Sequence, residues 1–204
     1  MSPFEAATVV PVVVIDDVDA AVPMARALLD GGVRIIEVTL RSPAALDAIR
    51  VIADEVPEMV VGAGTVCSPE QAKASAAAGA RFLVSPGSTD RLLDAFEDSG
   101  LPFLAGTATP SDMLRLLERG VTQAKLFPAV AVGGIGLLNA VYGPLPELRF
   151  CPTGGITPAN AREFLQLPNV MCVGGSWLTP VDRVAARDWA AITELARAAT
   201  GLSG

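Results

Sequence analysis

One pattern recurs eight times along the 204 residues: a short apolar run rich in β-branched side chains, a turn signal, and an Ala- and Leu-rich stretch with helical apolar spacing. The predicted strands are residues 9–15, 34–40, 59–65, 81–86, 102–108, 122–128, 148–153 and 170–176. Predicted helices fill the gaps. Because the strand runs are apolar almost throughout rather than alternating, both faces of each strand are expected to be buried. The pattern therefore predicts a parallel α/β fold.

Eight strand–helix units fit a closed (β/α)8 TIM barrel. The alternative is an open doubly wound sheet, but its G-x-G-x-x-G fingerprint is absent, and so is the G-x-x-x-x-G-K-[ST] phosphate loop. No linker, charge block or shift in composition divides the chain, and 204 residues are enough to bury a substantial core. We therefore predict that residues 1–204 form one (β/α)8 barrel domain.

Four predicted helix starts share a signal, a hydroxyl residue followed by a proline whose fixed φ suits the first turn. They are Ser42-Pro43, Ser68-Pro69, Thr109-Pro110 and Thr157-Pro158, ahead of the second, third, fifth and seventh helices. Glycine is favoured where a helix ends in a left-handed cap. Such ends are predicted at Gly31-Gly32, Gly79, Gly100 and Gly120. The start and stop signals agree with the strand assignments.

The composition limits the kinds of partner that this chain is expected to bind. The chain is 51% hydrophobic and 18% charged, which excludes disorder, and its formal net charge of −7 argues against nucleic-acid binding, which needs clustered cations. Apolar stretches end well before the roughly 20 residues that span a bilayer. Residues 1–11 lack the cationic start and apolar core of a signal peptide. We expect a cytoplasmic protein with no nucleic-acid or membrane partner.

The chain has no histidine, which excludes Ser/His and Cys/His nucleophile systems, His-based zinc catalysis and any imidazole acid or base. Three cysteines, Cys67, Cys151 and Cys172, are widely spaced in apolar sequence. We expect each to be a reduced thiol that acts as a small buried side chain. Proton transfer in this chain is therefore left to Glu, Asp, Tyr or Cys.

The active-site residues of parallel barrels lie at the carboxyl ends of the strands. Lys125 lies there, inside the apolar run 124–127, whereas the other lysine, Lys73, lies in a helical stretch and is expected on the surface. Burial favours the neutral amine, which attacks ketones, and arginine cannot replace it in this role. The alternative is an ammonium that reaches the rim or pairs with an acid. Lys125 is the candidate Schiff-base nucleophile.

Other polar residues fall on the same rim. Glu37 interrupts an apolar strand and is a candidate general acid and base, or alternatively an ion-pair partner of Arg41 or Lys125. The planar fork of Arg41 suits a substrate carboxylate, although a surface role is the alternative. Thr65 and Thr153 offer hydroxyls at strand ends for a bound carbonyl or carboxylate, or for capping a helix.

Two glycine pairs follow the last two predicted strands, Gly154-Gly155 and Gly174-Gly175, the second of them directly before Ser176. Glycine lets backbone N–H groups approach an anion closely, and phosphate sites recur at this place in such barrels. The alternative is a pair of tight turns. The glycines at 133, 134 and 136 are expected to open the sixth helix instead.

Several of these segments occur together in one known family. Residues 36–41 (IEVTLR), 61–66 (VGAGTV), 84–87 (VSPG), 125–129 (KLFPA), 150–156 (FCPTGGI) and 173–178 (VGGSWL) closely resemble the class I 2-keto-3-deoxy-6-phosphogluconate (KDPG) aldolase family. The likeness runs in order over nearly the whole chain. It implies a homotrimeric (β/α)8 barrel that reversibly cleaves KDPG to pyruvate and glyceraldehyde 3-phosphate through a lysine imine, without metal or other cofactor.

The resemblance also assigns roles. Lys125 forms the Schiff base, and Glu37 moves protons. Arg41 and Thr65 hold the pyruvate carboxylate in a pocket shaped by Pro86, while Thr153 faces the substrate hydroxyls. The phosphate is received by Gly154, Gly155, Gly174, Gly175 and Ser176. The partners implied are therefore a small keto acid and a phosphorylated aldehyde.

The chain departs from the family pattern beside the lysine strand. It has Leu126 where phenylalanine is common, Val130 where glutamate is common and Ala105 where proline is frequent. Substrate alternatives through the same imine are the galactonate epimer of KDPG, 4-hydroxy-2-oxoglutarate (KHG), and decarboxylation of oxaloacetate. Alternatives of another class are a phosphosugar isomerase or epimerase that forms no imine, and a trimeric assembly protein without catalysis.

Overall fold

The structure is a computed structural model and describes residues 2–202. Eight parallel strands form one sheet, with the order β7-β6-β5-β4-β3-β2-β1-β8. They are β1 (Val9–Val13), β2 (Ile35–Thr39), β3 (Val60–Gly64), β4 (Leu83–Val84), β5 (Phe103–Thr107), β6 (Gln123–Leu126), β7 (Arg149–Pro152) and β8 (Val173–Gly175). The parallel bridges Phe150↔Val170 and Thr153↔Gly174 join the two ends of that order. The sheet thus closes into the predicted (β/α)8 barrel.

Helices follow every strand. They are α1 (Ala21–Asp30), α2 (Ala45–Glu55), α3 (Pro69–Ala77), α4 (Asp90–Ser99), α5 (Pro110–Glu118), α6 (Gly134–Tyr142), α7 (Ala161–Leu165), α8 (Val181–Ala185) and α9 (Trp189–Thr200), with a short 3-10 helix at Val18–Ala20 before α1. Between residues 2 and 202, no helix is both long enough and apolar enough to cross a membrane.

Each observed strand lies inside its predicted run and is shorter at the ends. The largest difference is at β4, where a predicted run of residues 81–86 contains a strand of only Leu83–Val84. Pro86 has no N–H to donate to a ladder, and the Ser85 hydroxyl donates to the Gly87 carbonyl, 2.7 Å away, in a local turn. Apolar sequence therefore extends beyond the hydrogen-bonded part of the strand.

The barrel interior is packed with aromatic and aliphatic side chains. Phe82 is fully buried, and its ring lies so close to Gly62 that a Cβ there would be 2.4 Å from it. Phe4 stacks edge-on against the same ring, with centroids 5.1 Å apart. This contact ties the N-terminal segment to the barrel core.

Two of the four predicted helix starts are correct. Ser68 caps α3 by accepting from the Gln71 N–H, and Thr109 caps α5 in a full capping box with Asp112. The glycine prediction is also correct at the residues whose φ is positive, Gly32, Gly79, Gly100 and Gly120.

The other two helix starts are wrong. Helix α2 begins at Ala45, after an N-cap residue without a side-chain cap, because the Ser42 hydroxyl donates instead to the Ile15 carbonyl of another loop. Helix α7 begins at Ala161, because the turn before it is held by the Asn160 side chain, which accepts from the Thr157 N–H at 2.8 Å. A tertiary contact displaced the signal at Ser42, and a competing local hydrogen bond displaced the signal at Thr157.

All three cysteines are free thiols, but only two match the expected burial. Cys151 and Cys172 are buried, whereas Cys67 is exposed, so the prediction of a buried side chain is wrong there. The apolar run ends at the buried Val66, and the next residue already belongs to the turn into α3. The Cys67 N–H donates to the Gln71 side chain, 2.7 Å away, which holds this turn at the surface.

Candidate active site

Lys125 on β6 and Glu37 on β2 meet inside the barrel. Each residue is 3% exposed, and the Lys125 Nζ lies 3.4 Å from the Glu37 Oε1. The other ion pairs of residues 2–202 use side chains that are at least 24% exposed. Burying two opposite charges costs desolvation energy that their attraction offsets only in part. Because burial of this pair is costly, we expect the pair to have a chemical role.

Glycines make room for this pair. A Cβ on Gly64 would lie 2.1 Å from the Glu37 Oε1, so the carboxylate occupies the space that a side chain would take. Gly106 is the register partner of Lys125, and a Cβ there would lie 2.2 Å from the Pro86 carbonyl group. A glycine inside a strand often marks such a close approach. Sequence reasoning missed both roles, although a glycine within a predicted strand was the available signal.

Two further contacts fix the position of Lys125, one to its backbone and one to its side chain. The Thr107 hydroxyl donates to the Lys125 carbonyl at 3.1 Å, which fixes β6 against β5. The Lys125 Nζ lies 5.2 Å from the centroid of the Phe127 ring, within the range of a cation–π contact. The amine is therefore positioned by its own strand as well as by the carboxylate.

Two buried thiols complete the surroundings of the pair. Cys151 is the register partner of Lys125, and Cys172 lies in the segment before β8. A hydrogen bond with Cys151, together with burial and the nearby Glu37 charge, raises the pKa of the Cys172 thiol well above its usual value. Because this thiol stays protonated at neutral pH, it does not compete with the amine as a nucleophile.

Arg41 and Thr65 come together at the carboxyl ends of β2 and β3. The Arg41 Nε donates to the Thr65 hydroxyl at 3.0 Å, and the terminal guanidinium nitrogens make no hydrogen bond within residues 2–202. Thr65 has a φ of +57°, a conformation that is strained for a β-branched residue and that recurs at functional sites. Thr65 follows directly after Gly64, which adjoins the Glu37 carboxylate. The exposed fork of Arg41 is available to a carboxylate ligand.

The loops after β6 and β7 are joined by backbone hydrogen bonds. The Ala129 N–H donates to the Thr153 carbonyl at 2.7 Å, and the Val130 N–H donates to the Gly154 carbonyl at 3.1 Å. Gly154 and Gly155 have φ values of +97° and +80°, which requires glycine at both positions. The two loops therefore form one unit beside the lysine strand.

At β8 the glycines allow close packing. Gly174 lies against the Thr153 hydroxyl, where a Cβ would be 2.2 Å from Oγ1, and Gly175 lies under the Trp177 ring. Ser176, the next residue, is exposed.

Pro86 is half-buried after the end of β4, where its carbonyl group contacts Gly106. All eleven predicted site residues thus lie in or directly after strands at one end of the barrel.

The structure separates these residues into contacting groups. Lys125 contacts Glu37, Arg41 contacts Thr65, and Thr153 contacts Gly174. The alternative pairing of Glu37 with Arg41 does not occur in the described part of the chain. Within that part there is also no group of three or more Cys, Asp or Glu side chains arranged to hold a metal ion. The arrangement provides a buried amine, an adjacent carboxylate and an exposed guanidinium that, among the described residues, is bonded only through its Nε.

Comparison with known proteins gives a consistent result. The family model described as "Aldolase: KDPG and KHG aldolase" matches residues 2–195. The 2-dehydro-3-deoxy-phosphogluconate aldolase of Pseudoalteromonas atlantica is 52% identical over 98% of this chain and 94% of that protein. The KHG/KDPG aldolase of Escherichia coli K12 is 51% identical over 94% of this chain and 90% of that protein.

A solved structure is similar over nearly the whole chain. It is the KDPG aldolase of Legionella pneumophila, with pyruvate captured at low pH as a covalent carbinolamine intermediate. The TM-score is 0.94 at 46% sequence identity, over 96% of this chain and 95% of that one.

Proposed function

This chain belongs to the KDPG and KHG aldolase family, and from that membership we propose that it is a class I aldolase acting on KDPG. It reversibly cleaves this keto acid to pyruvate and glyceraldehyde 3-phosphate through an imine. The observation that carries the proposal is the buried amine of Lys125, 3.4 Å from the Glu37 carboxylate. The carbinolamine of the Legionella pneumophila enzyme supports the same covalent chemistry.

The first stage is imine formation. Glu37 accepts a proton from the Lys125 ammonium, and the neutral amine attacks the C2 carbonyl carbon. The carbonyl oxygen takes the proton that the attacking nitrogen loses, which gives a neutral carbinolamine while Glu37 stays protonated. Glu37 then donates its proton to the departing hydroxyl, which leaves as water. The product is a protonated imine between Nζ and C2. The short distance between the two side chains allows the first of these transfers, from Lys125 to Glu37, without a relay.

The second stage breaks the C3–C4 bond. Glu37, now ionised, removes the proton of the C4 hydroxyl, C4 becomes the aldehyde carbon, and the bonding electrons move into the C2–N system as an enamine. The protonated imine is the electron sink, so no unstabilised carbanion forms and neither a metal nor another cofactor is needed. Glu37 returns its proton to C3, and water then hydrolyses the pyruvate imine to release Lys125.

For the remaining residues we propose the substrate contacts that the family resemblance implies. Arg41 and Thr65 hold the pyruvate carboxylate, since the terminal nitrogens of the guanidinium are uncommitted. Pro86 shapes this pocket, and Thr153 faces the substrate hydroxyls. The phosphate is received by Gly154, Gly155, Gly174, Gly175 and Ser176.

A second activity has its own support. The Escherichia coli relative is named for both KHG and KDPG, and KHG differs from KDPG only beyond the carbons that react. The same imine cleaves KHG to pyruvate and glyoxylate. Family membership favours these aldol cleavages over the phosphosugar isomerase and the non-catalytic assembly. As the resemblance implies, we also propose a homotrimer that acts in the cytoplasm.

Reductive trapping tests the proposal. Borohydride added in the presence of pyruvate should leave a stable adduct on Lys125, located by mass spectrometry of peptides. Lys125→Ala should lose both the adduct and KDPG cleavage while remaining folded, and Lys73→Ala, on the exposed side of α3, should keep both. An adduct at another residue, or cleavage by Lys125→Ala, would contradict the assignment.

A further inference from the structure

A cavity of about 580 Å³ opens where β1 and β8 end. Its wall includes Ser176, already proposed to receive the phosphate, and it extends to Val12, the register partner of Glu37 on the neighbouring strand. Neither Lys125 nor Glu37 lines the cavity, so its links to the proposed site are Ser176 and Val12.

Three charged residues line this cavity, Asp16, Asp17 and Arg187. Two carboxylates and one guanidinium give a formal charge of −1 (−2 + 1), an unfavourable setting for a phosphate. The single cation is engaged, because the Arg187 Nη2 lies 3.0 Å from the Asp17 Oδ2. Both side chains of this pair are 57% exposed, and exposed ion pairs contribute little free energy. Arg187 can therefore exchange Asp17 for another anion at small cost.

The backbone does not account for an arginine at this position. Arg187 has a φ of +53°, in the left-handed region that glycine and asparagine adopt more readily. Its side chain is nevertheless placed on the wall of the cavity that holds Ser176. A planar guanidinium can donate two parallel hydrogen bonds to a phosphate, which a lysine ammonium cannot do.

We propose that Arg187 is a specificity-determining residue that binds the phosphate of the substrate, and that Asp17 competes with the phosphate for it in the free protein. This inference rests on the proposed aldolase function and adds a charged partner to its phosphate site. Asp17 thereby sets how strongly the protein prefers a phosphorylated substrate over an unphosphorylated one.

The test compares kcat/KM for KDPG and for 2-keto-3-deoxygluconate, which lacks the phosphate. For Arg187→Asn, which tolerates the backbone conformation, the ratio of the two values should fall about tenfold, mainly through KM for KDPG. Arg187→Lys should recover part of the loss. Asp17→Asn should raise the ratio about two- to fivefold, and its amide oxygen can still accept the Asp19 N–H bond that Asp17 now accepts at 3.0 Å.

The matched control is Arg183→Asn. Arg183 lies on α8, pairs with Asp188 at 2.9 Å and does not line the cavity, so its loss should leave the ratio unchanged. An unchanged ratio in both Arg187→Asn and Asp17→Asn, or equal losses on both keto acids, would overturn the inference. If Arg187→Asn fails to fold, Asp17→Asn alone decides. A wild-type protein that traps no pyruvate and cleaves neither keto acid would overturn the aldolase itself.

Discussion

At the scale of single residues, Gly64 sets the position of the Glu37 carboxylate, the proposed proton-transfer group. Gly64→Ala would place a Cβ 2.1 Å from the Glu37 Oε1, so the carboxylate must move away from the Lys125 amine. Because proton transfer depends on that distance, we expect kcat for KDPG to fall at least about tenfold while the chain stays folded. Steady-state kinetics and circular dichroism measure the two effects.

The control for Gly64→Ala is Gly136→Ala. Gly136 lies inside α6, and a Cβ there would meet nothing within 4 Å. Alanine is the better helix former, so this change should leave kcat unchanged and stabilise the protein slightly. Equal turnover in both variants would show that Gly64 is not needed to position Glu37.

The buried positions of Lys125 and Glu37 could be predicted from the sequence, but their surroundings could not. Lys125 and Glu37 stand out because each interrupts an apolar strand, and charge in such a place has few roles. The role of Gly64 depends on which residue lies across the strand pair, and sequence does not specify that register. The strained φ of Thr65 and the partner of Arg187, which lies 170 positions away at Asp17, likewise emerge only in three dimensions.

At the scale of elements, the capping box of α5 links helix stability to pH. Burial alone would raise the pKa of Asp112, but hydrogen bonds from the Ala108 and Thr109 backbone N–H groups and the Thr109 hydroxyl outweigh it and lower that pKa. A carboxyl whose pKa is lower in the folded state stabilises the fold at pH values above its unfolded pKa. That contribution disappears as pH falls through the lowered folded value.

We therefore expect Asp112→Asn to lower the free energy of unfolding by about 1 kcal/mol at pH 7, the usual contribution of a cap. The difference from wild type should shrink steadily below about pH 4, where the wild-type carboxyl takes up its proton. Urea denaturation over this range measures it. Ser111→Ala, an exposed change in the same turn, should stay within about 0.5 kcal/mol at every pH. A difference for Asp112→Asn that is independent of pH would contradict this account.

The predicted helix starts are correct where the hydroxyl side chain caps its own helix. Ser68 and Thr109 each find a partner three residues ahead, inside the same turn. Ser42 carries the same local signal, but its hydroxyl donates to the Ile15 carbonyl in the loop after β1. Since that partner is 27 positions away, no local pattern could have revealed it.

At the scale of the whole molecule, the buried Lys125–Glu37 pair is expected to cost stability, whatever its proposed role in catalysis. Lys125→Met leaves the Glu37 charge buried without a partner, and we expect it to reduce the free energy of unfolding by about 3 kcal/mol. Lys125→Met combined with Glu37→Leu should recover that loss or exceed wild type, since apolar pairs often replace buried ion pairs without cost. Equilibrium unfolding in urea compares the three proteins. A double variant less stable than the single one would show that the pair itself stabilises the fold.

The eightfold repeat was enough to predict the closed barrel, because only a few architectures bury eight apolar parallel strands. The cavity beside Ser176 was not foreseeable in the same way. It is built from residues near position 16 and others near position 187, which become neighbours only when β8 pairs with β1.

The strand order has one more consequence. In the closed barrel of eight strands, β2 and β6 are four strands apart in either direction. Glu37 and Lys125 therefore face each other from opposite sides of the barrel. Their contact exists only once the circle is complete. We therefore expect catalytic activity to return during refolding only after the barrel has closed. A distortion of the barrel that separates β2 from β6 should abolish activity before it unfolds the protein.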